Sequence, residues 1–106
     1  MRIVEYLTAD GSSSFKSWFD RLESRSAAKV TTALIRMGMG NISNVESVGG
    51  GVYERKIDYG PGYRVYFGKD GEELVILVGG GTKKSQVKDI AAAKDRWADY
   101  RKRKKK

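Results

Sequence analysis

The stretch from Tyr53 to Gln86, YERKIDYGPGYRVYFGKDGEELVILVGGGTKKSQ, constrains the fold more than any other part of the chain. Tyr53, Arg55 and Ile57 alternate with Glu54, Lys56 and Asp58, and Tyr63, Val65 and Phe67 alternate with Arg64 and Tyr66. A period of two is that of a β-strand with one face turned inward. Gly60-Pro61-Gly62 and Asp70-Gly71 are tight-turn sequences, and Leu74 to Val78 is apolar at every position, as in a strand covered on both faces. The spacing therefore predicts three consecutive antiparallel strands, followed by a glycine-rich basic loop over Gly79–Ser85.

The flanking segments complete an α+β domain. Arg2 to Leu7 reads as a short first strand. Gly11-Ser12-Ser13-Ser14 supplies a turn and a helix N-cap. Phe15, Trp18, Phe19 and Leu22 follow at i, i+3, i+4 and i+7, an apolar stripe of core type. A second helix is predicted from Ser24 or Ser26, with Ala27, Val30, Ala33, Leu34 and Met37 along one side and Gly38, Gly40 and Asn41 at its end. These two helices are expected to form an antiparallel hairpin packed on the sheet, and Asn44 to Gly51 reads as a loop. A last helix from about Ser85 is predicted to place Val87, Ile90, Ala91, Lys94, Trp97 and Ala98 on its inner stripe, with residues 101–106, RKRKKK, as a frayed basic tail.

Neither a repeat nor a linker divides the sequence, so its 106 residues are expected to form one domain. There is no cysteine and no histidine, which excludes disulfides and thiolate metal sites and removes the commonest metal ligand. No metal or cofactor is expected. Apolar runs fall short of the roughly 18–20 residues of a membrane span, and charges at Arg2, Glu5 and Asp10 interrupt any signal-peptide core. A cytoplasmic protein that does not engage the membrane is expected. Residues 80–106 hold eleven Lys and Arg against three Asp, which is the whole net charge of +8. Such asymmetry suits an anionic partner or a solubilising tail.

The hairpin also sets a charge constellation. Ile57 and Val65 must share a face, so even positions oppose even positions across the two strands. Lys56 then lies opposite Arg64, or one register along, where Asp58 would face Arg64. In both cases the two cations are direct or diagonal neighbours, roughly 5–8 Å apart. An anion held between them and a surface Asp58–Arg64 ion pair are both consistent with this spacing. Arg55 breaks the pattern by sharing a face with Tyr53 and Ile57. Either its stem lies over the helices with the guanidinium in water, or the strand bulges there.

Four segments together resemble the RelE/ParE superfamily of bacterial toxins, in the branch of addiction-module killer proteins related to HigB: FKSWFDRL, VYERKIDYGPGYRVYFGKDG, GGGTKKSQ and AAAKDRWADY. YGPGYRVYF is the most specific of these elements, and the similarity extends to about Arg101. The resemblance implies a RelE-like fold: a twisted antiparallel sheet, an N-terminal helical hairpin packed on it, and a C-terminal helix. It implies a type II toxin neutralised by a cognate protein antitoxin. RelE-like members cleave mRNA on the ribosome without a metal, whereas ParE-like members inhibit DNA gyrase.

Metal-free RNA cleavage needs a base for the 2′-hydroxyl, charge stabilisation at the phosphate and an acid for the departing 5′-oxygen. With no histidine, lysine and arginine must carry it. A lysine crowded by cations gives up its proton more readily, which makes Lys56 the candidate base and Arg64 the phosphate clamp. Tyr66, outward on the same strand, is expected to stack on a nucleobase or donate a proton. Lys83, Lys84, Gln86 and Arg55 complete the expected RNA- and phosphate-binding set. The chain departs from the RelE pattern at Lys88, near a catalytic tyrosine position, at Thr82, near an arginine position, and at Glu54, where RelE has a basic residue. A ribosome-dependent mRNA endoribonuclease is the first functional expectation. A gyrase inhibitor and a non-catalytic RNA- or antitoxin-binding protein are the alternatives.

Overall fold

The computed structural model describes residues 1–72 and 74–105. The elements run β1 (Arg2–Glu5), α1 (Ser14–Phe19), α2 (Ser24–Gly38), β2 (Val45–Gly49), β3 (Val52–Ile57), β4 (Tyr63–Asp70), β5 (Leu74–Thr82), a 3-10 turn over Lys83–Ser85, and α3 (Gln86–Lys104). The strands form one sheet in the order β1-β5-β4-β3-β2. The pairs β2–β3, β3–β4 and β4–β5 are antiparallel, but β1 pairs with β5 in parallel. The sheet is therefore mixed rather than antiparallel throughout. Alternation reveals a strand but not its partner, and β1 is followed by two helices before the next strand, which frees it to join the far side of the hairpins.

Both faces of the sheet are covered. Phe15 from α1 and Val30, Ala33 and Met37 from α2 pack with Ile57, Tyr63, Val65, Phe67, Val75 and Leu77 on one face. Ala93 and Trp97 from α3 pack with Tyr6, Val52, Tyr66, Ile76 and Val78 on the other. The helix ends follow from their sequences. The Ser13 side chain accepts from the Lys16 N–H at 3.0 Å, as an N-cap does. Gly40, at φ +90°, lets the Asn41 N–H reach back to the Arg36 carbonyl and close α2.

Three segments differ from the sequence expectation. Val45–Gly49 is a strand, not a loop, and Gly49, Gly50 and Gly51 all take positive φ in the turn that joins it to β3. Gly79–Gly81 are strand residues, not a loop. Tyr66 lies opposite Gly79 and Phe67 opposite Leu77, leaving Val78 as the extra residue of a β-bulge. Beyond it a Cβ at Gly80 would overlap the Trp18 ring, and one at Gly81 the Asp89 carboxylate. These positions are glycine because helices close on them.

The third difference is the rotation of α3. Its inner side carries Ile90, Ala93, Trp97 and Tyr100, while Val87 is 87% exposed and Ala91 and Ala98 face outward. The large rings of Trp97 and Tyr100, stacked at 5.3 Å, take the sheet-facing side, and the polar first turn of α3 meets a polar end of the sheet. The tail expected to fray continues the helix through Lys104. Arg103 donates to the Leu7 carbonyl at 2.7 Å, and Lys104 pairs with Asp70. Lys106, the last residue of that expected tail, lies outside the described residues. No helix among the described residues is long and apolar enough to cross a membrane.

Candidate functional site

At the end of the sheet near the Gly60–Gly62 turn, the even-numbered residues of β3 and β4 form a polar patch on the α3 face. Lys56 lies directly opposite Arg64, and Glu54 opposite Tyr66. This settles the register: Ile57 faces Tyr63, so Asp58 lies beyond the ladder and does not oppose Arg64. On the next strand Glu46 lies opposite Glu54. Two ion pairs run along parallel diagonals of this grid, Lys56 Nζ to Glu46 at 3.2 Å and Arg64 Nε to Glu54 Oε1 at 3.1 Å.

The two pairs differ in depth. Lys56 and Glu46 have side chains 39% and 64% exposed, whereas those of Arg64 and Glu54 are 11% and 2% exposed. Glu54 Oε1 also accepts from Gln86 Nε2 at 2.9 Å, so the first turn of α3 clamps the buried carboxylate. The Arg64 Nε–H is near Glu54 but not aimed along a hydrogen bond, and it has no other acceptor among the described residues. A buried pair with poor alignment recovers little of its desolvation cost. Arg64 is thus held in place without being fully satisfied.

Tyr66 is fully buried beneath α3, not outward. Its hydroxyl has no hydrogen-bond partner among the described residues, and burial first, then the nearby Glu54 and Asp89 carboxylates, pushes its pKa up to about 12. It reaches no nucleobase in this arrangement. Lys83 and Lys84 are exposed on the 3-10 turn. Lys83 donates its backbone N–H to the Gly62 carbonyl at 2.8 Å, and a Cβ at Gly62 would touch both the Lys83 side chain and the Arg64 guanidinium. Gln86 is half-buried and engaged with Glu54. The backbone of Gly79–Gly81 is laddered to β4, so it does not form a phosphate-cradling loop.

Arg55 belongs to the opposite face. The β3–β4 register is regular through it, which removes the bulge alternative. Its side chain is buried, with Nη1 donating to the Ser43 carbonyl, so the guanidinium is capped by backbone where solvent was expected.

Glu46 and the buried role of Glu54 are absent from the sequence reading. Val45-Glu46-Ser47-Val48 before three glycines carries a weak hairpin signal that would have placed Glu46. Glu54 shares its face with Lys56 by parity alone, but its burial depends on α3 covering that end of the sheet.

The fold is thus α+β, with a five-stranded mixed sheet between a helical pair and a C-terminal helix. No family model matches the chain. It is 43% identical over 81 residues to an uncharacterized protein of Haemophilus influenzae, a match that covers 76% of this chain and 82% of that protein. The chain belongs to the same family as that protein.

Proposed function

We propose that this chain is a RelE/ParE-like toxin of a type II toxin–antitoxin module, acting in the cytoplasm as a metal-independent, ribosome-dependent mRNA endoribonuclease. The observation that carries the reading is the direct opposition of Lys56 and Arg64 on neighbouring strands, at the end of the sheet where Lys83 flanks Gly62. The order of layers, two helices, sheet, helix, supports the RelE-like fold.

The roles this reading gives the residues differ from the sequence expectation. Lys56 faces the Glu46 carboxylate at 3.2 Å, so the amine is placed to give a proton rather than take one. An incoming phosphate competes with Glu46 for Lys56, and the released, exposed carboxylate takes the proton of the 2′-hydroxyl. The 2′-oxygen forms a bond to phosphorus, Lys56 protonates the departing 5′-oxygen, and a cyclic phosphate and a 5′-hydroxyl result. Arg64 neutralises the charge that grows on the phosphate, and Glu54 with Gln86 holds it there.

A second reading, inhibition of DNA gyrase, is favoured by one observation: both cations already have carboxylate partners, and a protein-binding surface needs no free catalytic pair. Expression followed by primer extension on a translated message separates the two. New cleavage sites that vanish in a folded Lys56→Ala/Arg64→Ala variant are expected. Intact message together with blocked supercoiling would transfer the proposal to gyrase.

A further inference from the structure

The hollow between α2 and the end of β3, on the sheet face opposite the Lys56–Arg64 patch, carries positive charge without matching acid. Lys29 and Arg36 lie two turns apart on one side of α2 and line it together with Arg55, Lys56, Asn44, Asp58 and Tyr59; its volume is about 250 Å³. Asp58 is the only acid among these lining residues. None of Lys29, Arg36 and Arg55 takes part in an ion pair among the described residues.

Arg55 makes the hollow more than a basic surface. It is only 5% exposed. One N–H goes to the Ser43 carbonyl, while Nε has no acceptor among the described residues. Burial, and then repulsion from Arg36, lowers its pKa from the ordinary arginine value. Buried guanidinium groups are ordinarily both paired and hydrogen-bonded, because an uncompensated buried charge is costly. This one is half-satisfied and sits beside a second arginine. Lys29 is kept at the rim by the Tyr59 ring, 5.3 Å from its Nζ.

We propose that this hollow is a phosphate-group site, with Arg55 from beneath and Arg36 and Lys29 from α2 closing on one phosphoryl group. Three cations against one carboxylate call for a ligand of about two negative charges, and guanidinium forks match phosphate oxygens in pairs. The volume is below the roughly 300 Å³ at which sites for larger organic ligands begin, which fits a phosphoryl or pyrophosphoryl group, free or at the end of a chain. Lys56 of the proposed cleavage centre also lines the hollow but is paired with Glu46; Lys29, Arg36 and Arg55 have no part in that centre.

Calorimetric titration of the full chain with inorganic pyrophosphate at constant ionic strength tests the site. Wild type is expected to bind. Arg36→Gln, a change at an exposed position, and Arg55→Met, which keeps the stem in place, should each weaken binding about tenfold or more, the equivalent of one charge-assisted hydrogen bond. Circular dichroism checks that both remain folded. A 5′-phosphorylated oligoribonucleotide that displaces pyrophosphate where its 5′-hydroxyl counterpart does not would identify a terminal phosphate as the ligand. Pyrophosphate uptake with no displacement by either would identify a free anion, and both results support the site. Absence of binding by wild type, or equal binding by Arg36→Gln, overturns it.

Discussion

Tyr66 shows how burial decides what a residue can do. Its hydroxyl lies beneath α3 without a partner among the described residues, so it contributes an unpaired polar group to the core rather than a proton to a substrate. Tyr66→Phe is expected to raise stability by about 1 kcal/mol in urea denaturation while cleavage persists; loss of cleavage would restore the tyrosine to the site. The same burial sets an alkaline limit. Tyr66 and Tyr100 both have pKa values pushed up to about 12, mainly by burial and then by Glu54 and Asp70 respectively. Unfolded tyrosines titrate near 10, so above that pH the unfolded chain loses protons that the folded chain keeps. The tyrosines' contribution to stability is thus complete below about pH 10 and erodes between about 10 and 12. Asp70 and Asp99 act in the opposite sense. Hydrogen bonds from Lys104 and Tyr100 to Asp70, and from Tyr6 to Asp99, lower both pKa values from 3.8. Their contribution is present above that pH and is lost as the pH falls below it. Denaturation midpoints measured across pH should therefore decline at both ends, and a midpoint still flat at pH 12 would contradict the buried tyrosines.

Among the elements, β5 carries the sharpest structural demand. The bulge at Val78 changes its phase, so that Gly80 faces Trp18 and Gly81 faces Asp89. Gly80→Ala forces the Trp18 ring to move and should cost about 2 kcal/mol, visible as a lower thermal midpoint and a shifted tryptophan emission. An unchanged midpoint would mean that α1 does not close on β5 as described. The same strand marks the limit of what the sequence reveals. Alternation in β3 and β4 and the Asp70–Gly71 turn located the hairpins and the Lys56–Arg64 opposition. Glycine-rich sequence, however, is shared by loops and by strands crowded by helices, and only the position of Trp18 separates them. Glu46 was hidden for a related reason, because a short strand next to three glycines resembles a loop until its partner β3 is in place. Lys56 and Arg64 were legible as neighbours. Their carboxylate partners were not, because each ion pair depends on a contact across the sheet that a single strand's pattern does not contain.

On the scale of the whole molecule, the basic C-terminal run is a structural brace as well as a charge reservoir. Arg103 packs over the Tyr6 ring at 5.2 Å and pairs with Asp99, and Lys104 ties α3 to the β4–β5 turn through Asp70. Deleting residues 101–106 removes six Lys and Arg and leaves a net charge of +2 from +8. Exposed pairs contribute little singly, so the truncation should cost about 1–2 kcal/mol. It should also flatten the salt dependence of RNA binding without abolishing Lys56- and Arg64-dependent cleavage. Cleavage lost together with the tail, in a protein that remains folded, would move the functional centre to α3.

The proposed function rests on Arg64, held by Glu54, meeting a nucleic-acid phosphate, and Arg64 can be observed directly. Nuclear magnetic resonance of arginine Nε–H groups, with a short oligonucleotide made uncleavable by 2′-deoxy substitution at the scissile position, should shift the Arg64 signal, and Lys56→Ala should diminish that shift. An Arg64 signal that stays fixed at saturating oligonucleotide would contradict the shared phosphate and with it the nuclease reading.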